Sequence, residues 1–222
     1  MQVDWCEFPD DLLYDFENHV WLRRESGDAV LGITSIHSAL AGKLIKVNIK
    51  PAGSVVAKSH SVATIESLKY FGAVRTPLPC RIVQINEILL RRPKLANDYP
   101  YSEGWFVRLQ PIGLDKEMHV LSSPIGAEEK IRSVIRDLRV RCFKAYPDHE
   151  LWEVGVECAA VLVRLNELIA RCEIGEVVHI VSDDPTADIE MIRWSDQSGQ
   201  AILESRSEGN LAHFIVRKVK DS

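Results

Sequence analysis

Two side chains in this sequence can form covalent bonds and stand where neighbouring elements would present them. Lys69 follows Glu66-Ser67-Leu68 just after the apolar, β-branched stretch Val62-Ala63-Thr64-Ile65. A lysine at the tip of a β hairpin can be acylated on its amine. The hairpin then fixes where a long arm starts, and the side chain supplies reach, which suits chemistry that must visit several partners. Cys158 stands just before a helix expected over about Ala159 to Arg171. The start of a helix offers unpaired N–H groups and the positive end of the dipole, which favour a thiolate, the nucleophilic form of cysteine.

Other reactive types read more plainly. The five cysteines, Cys6, Cys80, Cys142, Cys158 and Cys172, are odd in number and include no Cys-x-x-Cys. No disulfide framework and no zinc spacing is expected from them. Cys80 reads as a small buried hydrophobe, and Cys142 and Cys172 as core or surface positions. The seven histidines are scattered without metal-ligand spacing, so no metal is expected. Asp183-Asp184-Pro185 reads as a strand end with a helix cap rather than an acid/base pair. Trp105 and Trp194 read as core aromatics, and Arg91-Arg92-Pro93-Lys94 as a solvated basic loop.

The elements that must hold these residues come in two patterns. From about residue 14 to 112 the chain runs in short strands. Ala29 to Ile33, Leu44 to Ile49, Val62 to Ile65, Arg81 to Ile85 and Trp105 to Leu109 are apolar or alternating, with Pro51-Ala52-Gly53-Ser54 and Pro77-Leu78-Pro79 as turns. A helix is expected near Ile36 to Leu40. The succession predicts a flattened β barrel or sandwich. Past the turn cluster Ser122-Ser123-Pro124-Ile125-Gly126, a helix is expected over Ala127 to Phe143. Strand (Glu150 to Val156), helix, strand (Val177 to Val181), helix (about Thr186 to Ser198) and two strands (Ala201 to Ser205, Ala212 to Val219) follow, which predicts a two-layer α/β sandwich. The expected division is residues 1–125, a connecting helix over 126–146, and 147–222.

With 222 residues and 46% hydrophobic content the chain can bury a substantial core. A net charge of -5 and a pI near 5.8 argue against nucleic-acid or anionic-membrane partners. No apolar run reaches the roughly 20 residues of a membrane span. The start Met1-Gln2-Val3-Asp4-Trp5-Cys6 lacks a signal-peptide pattern. A cytoplasmic location is the expectation.

Residues 14–112 resemble the H protein of the glycine cleavage system. The shared segments are His19-Val20-Trp21-Leu22-Arg23, Ala29 to Thr34, Glu66-Ser67-Leu68-Lys69, Pro77, Val83-Gln84-Ile85-Asn86-Glu87 and Asn97-Asp98-Tyr99-Pro100-Tyr101-Ser102-Glu103-Gly104-Trp105-Phe106. The resemblance implies lipoic acid bound covalently to Lys69, with Glu66 and Ser67 as part of the attachment hairpin. It implies a lipoate ligase or lipoyl transferase as a partner, and a carrier rather than an enzyme. The sequence departs from the family at Tyr70-Phe71-Gly72-Ala73, where small residues and an acid are usual, and at Cys80, where a glycine is usual.

Residues 147–219 resemble the TusA/SirA family of sulfur carriers. The match runs over Pro147 to Cys158, Gly175-Glu176-Val177, Ser182-Asp183-Asp184-Pro185 and Ile192-Arg193-Trp194. That resemblance implies a persulfide on Cys158, although Cys158-Ala159-Ala160-Val161 lacks the prolines of the family's Cys-Pro-x-Pro. The two resemblances together imply a lipoyl arm shuttling sulfur or another thiol-bound intermediate, with the second domain either relaying sulfur from Cys158 at high effective concentration or serving as a docking module, and with heterodisulfide-reductase-like enzymes as partners. The alternatives are an H protein shuttling the aminomethyl group between glycine-cleavage enzymes, and an unlipoylated interaction module.

Overall fold

The computed structural model describes residues 1–113 and 121–221. The chain divides into two units, one spanning Met1–Cys142 and the other running from Phe143 onward.

The first unit opens with a small ribbon of β1 (Gln2–Val3) and β2 (Cys6–Glu7), followed by β3 (Leu13–Asp15), β4 (Val20–Arg24) and β5 (Ala29–Ile33). Helix α1 (Ser35–Ala41) leads into β6 (Leu44–Ile49), β7 (Val55–Val56), β8 (Ser61–Ser67), β9 (Phe71–Arg75) and β10 (Cys80–Ile85). Two short helices, α2 (Glu87–Arg91) and α3 (Leu95–Asp98), precede β11 (Val107–Pro111), and α4 (Glu128–Leu138) ends the unit. A six-stranded sheet in the order β3-β4-β5-β11-β10-β7 faces a three-stranded sheet β6-β8-β9.

The period of two explains the layering. In β4, Val20 and Leu22 point into the core between the two sheets while Trp21 points the other way; in β5, Leu31 and Ile33 oppose Val30 in the same manner. The six-stranded sheet is therefore buried on both faces, which is why Ala29–Ile33 reads as an unbroken apolar run. Its outer face is covered by Phe8, Tyr14 and Phe16 and by Ile131 and Ile135 of α4. The segment 126–146 thus contributes its helix to the first unit. That helix stops at Leu138 rather than running to Phe143, because Arg139 turns left-handed (φ 51°) and returns its N–H to Arg136 and Ile135.

The absence of disulfides expected from cysteine spacing is corrected here: Cys6 and Cys142 are bonded, with Cα atoms 5.0 Å apart. Separation along the chain hid them, because packing rather than spacing brings the amino-terminal ribbon to the end of the unit.

The second unit contains β12 (His149–Glu153), α5 (Cys158–Arg171), β13 (Val177–Ser182), α6 (Ala187–Ser198), β14 (Ala201–Glu208) and β15 (Leu211–Arg217). The sheet order is β12-β13-β15-β14, with β12 and β13 parallel across the α5 crossover and the rest antiparallel. Both helices bury one stripe, Val161, Leu165 and Ile169 from α5 and Met191 and Trp194 from α6, on Val178, Ile180, Phe214 and Val216. This is a two-layer α/β arrangement. Among the described residues no helix is long and apolar enough to cross a membrane.

Candidate functional site

Lys69 stands at the tip of the β8–β9 hairpin. Glu66 pairs with Phe71, and the amide of Ser67 donates to the carbonyl of Tyr70 at 2.8 Å, which leaves Leu68 and Lys69 as a two-residue loop. Two-residue hairpins favour turns with positive φ, yet neither loop residue takes one. The turn is held from outside instead. Ser67 Oγ donates to the carbonyl of Ala41 at 2.6 Å and accepts the amide of Lys69 at 3.2 Å. One hydroxyl thereby ties the loop to the end of α1.

The next residue, Gly42, forms the floor under the lysine. Its backbone (φ 81°, ψ -176°) belongs to a region that essentially only glycine occupies. A Cβ there would meet Lys69 Cε at 2.9 Å and Ser67 Oγ at 3.4 Å, so the lysine stem lies over the missing side chain. The carbonyl of Gly42 is in turn fixed by Asn97. Asn97 Nδ2 donates to Gly42 O at 3.0 Å and to Ser38 Oγ at 2.9 Å, and its Oδ1 accepts the amide of Leu44 at 2.9 Å. The lysine's support thus runs from α3 through α1 to the hairpin. Replacing Asn97 by Ala leaves three buried polar groups without that partner. It is expected to cost about 3 kcal/mol, taking the low end of roughly 1–3 kcal/mol for each buried group left unsatisfied because water and local relaxation recover part of the loss, read by urea denaturation.

Glu66 lies opposite Lys46 and Phe71 in the three-stranded sheet, within the hairpin but not at its tip. Around the lysine the surface is apolar: Leu68 is 94% and Phe71 72% exposed. Tyr70 turns the other way. Its ring lies against Gly72, where a Cβ would meet it at 2.4 Å, and its hydroxyl comes within 3.4 Å of His37 Nε2.

His37 carried no signal in the sequence, being a lone histidine without spacing. It is buried on α1, whose N-cap Thr34 accepts the His37 amide at 3.3 Å. Burial, with the His19 ring as a lesser cause, pushes its pKa down to about 4. A neutral imidazole that must stay neutral to fold lets the unfolded chain bind the proton first. Stability is then fully present above pH 6.5 and falls as pH drops toward 4, by up to about 3 kcal/mol. A His37→Gln variant should show a shallower loss of stability over that window when melting is followed from pH 7 to pH 4.

Several of the shared sequence segments hold this frame. Trp21 lies across Gly32 of the neighbouring strand and donates its indole N–H to Pro100 O at 2.9 Å. Asn86 caps α2 and donates to the carbonyls of Glu103 and Trp105 at 2.8 and 2.7 Å. Cys80 is buried on β10 beside Thr76, and burial raises its thiol pKa.

Cys158, in the second unit, is the first residue of α5, where the sequence places it. The environment opposes a thiolate. The residue is 5% exposed, and burial, then the charges of Asp184 and Glu190, push the thiol pKa up. The anion that the helix start attracts is already supplied: Asp184 Oδ2 accepts the Cys158 amide at 2.8 Å. Asp183 likewise accepts the amide of Gly155 at 2.7 Å. This carboxylate pair therefore braces the start of α5, and Asp184 Oδ1 also accepts the amide and hydroxyl of Thr186, the residue leading into α6, at 2.7 and 2.6 Å.

An exposed lysine whose stem rests in a glycine cradle at a braced hairpin tip fits an amide-linked lipoyl arm. The chain is similar in sequence to known proteins. Glycine cleavage system H protein 2 of Aquifex aeolicus is 39% identical over 138 residues, covering 62% of this chain and 86% of that protein. H protein 5 of the same organism is 36% identical over 145 residues, covering 64% and 98% respectively. The crystal structure of an H protein from Mycobacterium marinum aligns with a TM-score of 0.49 at 25% identity, over 55% of this chain and 98% of that one. H proteins are carriers rather than enzymes, and they hold lipoic acid covalently on a lysine. The family model for the glycine cleavage H-protein matches residues 12–134, over half of the chain. The chain belongs to the glycine cleavage H-protein family.

Proposed function

We propose that this protein is a lipoyl carrier of the glycine cleavage type, with the arm on Lys69, moving an aminomethyl group from a glycine decarboxylase to a tetrahydrofolate-dependent partner. The observation that carries this reading is the braced tip: Lys69 exposed, its backbone tied through Ser67 to Ala41, its stem over Gly42. When attached, the lipoyl group supplies a disulfide that opens to carry the fragment as a thiol-bound adduct. The protein's own residues define the origin of the arm. Ser67 and Asn97 hold the base still, so that the arm's reach comes from the side chain and its extension alone. Leu68 and Phe71 offer apolar area to whichever enzyme receives the tip. Asp and Glu outnumber Lys and Arg, 32 to 27, consistent with protein partners rather than nucleic acid. A lipoate ligase or lipoyl transferase and the glycine-cleavage enzymes are the partners this reading requires, in the cytoplasm.

Residues from about 147 onward we read as a TusA/SirA-like module appended to the carrier, serving as a docking element. A sulfur-shuttling role with heterodisulfide-reductase-like partners would need a nucleophilic thiol beside the lipoyl chemistry. The buried, carboxylate-flanked Cys158 does not favour one. A reconstituted glycine–bicarbonate exchange assay with lipoylated protein tests the choice. Exchange that depends on this protein supports glycine cleavage. Exchange at the rate of protein-free controls, with the arm fully lipoylated, would count against it and return sulfur to the front.

A further inference from the structure

Three metal-binding side chains of different types meet at one end of the sheet in the second unit, although their spacing gave no metal signature. His149 opens β12, Cys172 caps the end of α5, and Glu176 stands immediately before β13. One donor atom from each lies within 4.8 Å of the other two. We propose that His149 Nε2, Cys172 Sγ and the Glu176 carboxylate form a binding site for a zinc ion, with a fourth position open to water or a partner's ligand.

The geometry is near what such an ion needs. His149 Nε2 and Glu176 Oε2 are 3.2 Å apart. Two ligands on a tetrahedral zinc with bonds of about 2.0–2.1 Å stand roughly 3.3 Å apart, so this edge is already in place. The sulfur lies within 4.8 Å of both atoms, and bonds of about 2.3 and 2.0 Å at tetrahedral angles require roughly 3.5 Å, so binding draws it in by up to about 1.3 Å.

The backbones carrying the donors are fixed. The amide of Asp148 donates to Val177 O at 2.7 Å, and Asp148 Oδ2 accepts the Val177 amide at 3.0 Å, which locks the residues next to His149 and Glu176 together. The Glu176 carbonyl accepts the Lys218 amide at 2.9 Å, and Glu176 Oε2 accepts the Glu173 amide at 2.8 Å. Accessibility fits a three-ligand site: the Cys172 side is buried, while the His149 and Glu176 side chains remain 35% and 25% exposed.

Charge and ligand type favour zinc over magnesium or calcium. A thiolate and a carboxylate neutralise a dication, and a sulfur–nitrogen–oxygen set suits a borderline-soft ion rather than hard, oxygen-seeking ones. On binding, a sulfur–zinc bond replaces the thiol S–H and the proton leaves to solvent. The imidazole binds through Nε2 and keeps its proton on Nδ1. The buried Lys218 ammonium works against a cation nearby, but its Nζ donates to Cys172 O at 2.9 Å and pairs with Asp221 at 2.9 Å, so its charge is already engaged.

The test uses the full chain carrying Lys69→Arg, so that no lipoyl dithiol can chelate metal and the outcome is independent of the carrier reading. Zinc is titrated against a chromogenic chelator, and cobalt(II) is added separately. The expected result is one zinc per chain and a thiolate-to-cobalt charge-transfer band. Cys172→Ala and His149→Gln should each weaken zinc by more than the roughly 10–100-fold typical of losing a supporting partner, and Cys172→Ala should abolish the band. Should Cys172→Ala fail to fold by circular dichroism, His149→Gln and the cobalt spectrum decide. No binding, binding unaffected by His149→Gln, or cobalt binding without the charge-transfer band would overturn the proposal and leave His149 and Glu176 as a hydrogen-bonded pair near a buried thiol.

Discussion

Lys69→Arg is expected to abolish carrier activity while leaving the fold intact. Arginine keeps the positive charge and a similar aliphatic stem over Gly42, but its guanidinium cannot be acylated to form the arm. The residue is exposed at the hairpin tip, and the tip is secured by Ser67 and the Lys69 backbone amide rather than by the lysine side chain. A change of melting temperature of no more than one or two degrees is therefore expected, since exposed substitutions usually stay within about 0.5 kcal/mol. In reconstituted glycine–bicarbonate exchange the rate should fall to that of protein-free controls. Retained exchange would place the arm on another lysine.

Cys142→Ser should produce the largest loss of stability of any single substitution considered. The Cys6–Cys142 bond closes a loop across nearly the whole first unit, with a sequence separation of 136. Loop-closure entropy for that length corresponds to about 5 kcal/mol, an upper value because the reduced chain is not a random coil. Cys6, Val3 and Phe8 all pack in the layer that also holds Ile131 and Ile135 of α4. Losing the bond should loosen that outer layer before the core between the sheets. The check is thermal unfolding with and without reductant. Reductant should lower the melting temperature of the wild type to that of Cys142→Ser, and should leave the variant's own transition unchanged.

The strands and helices that were legible in the sequence are those with a strong period. Ala29–Ile33 and Leu44–Ile49 are apolar and β-branched enough to mark strands, and α5 carries a clean 3.6-residue stripe through Val161, Leu165 and Ile169. Helices α2 and α3, of five and four residues, are too short to show any period, and β1 and β2 are two residues each. Lys69 was legible because its neighbours and the spacing to later segments are local in sequence. The brace beneath it was not. Ser67 reaches Ala41 across 26 residues and Asn97 reaches Gly42 across 55, contacts that only the packing of α1 and α3 creates. Cys158 shows the opposite case. Its position at a helix start was foreseen, but the burial and the Asp184 carboxylate that set its chemistry come from a loop 26 residues away. Position along a helix says where a thiol is, and its surroundings decide whether it ionises.

Whether Lys69 is the attachment point of the arm is read by peptide mapping with mass spectrometry. Protein purified from lipoate-replete cells of its native host would be digested and every lysine-containing peptide examined. One lipoyl group is expected on the peptide holding Glu66-Ser67-Leu68-Lys69, with unmodified amines at the other lysines. A fully unmodified Lys69, or a lipoyl group on a different lysine, would contradict that assignment.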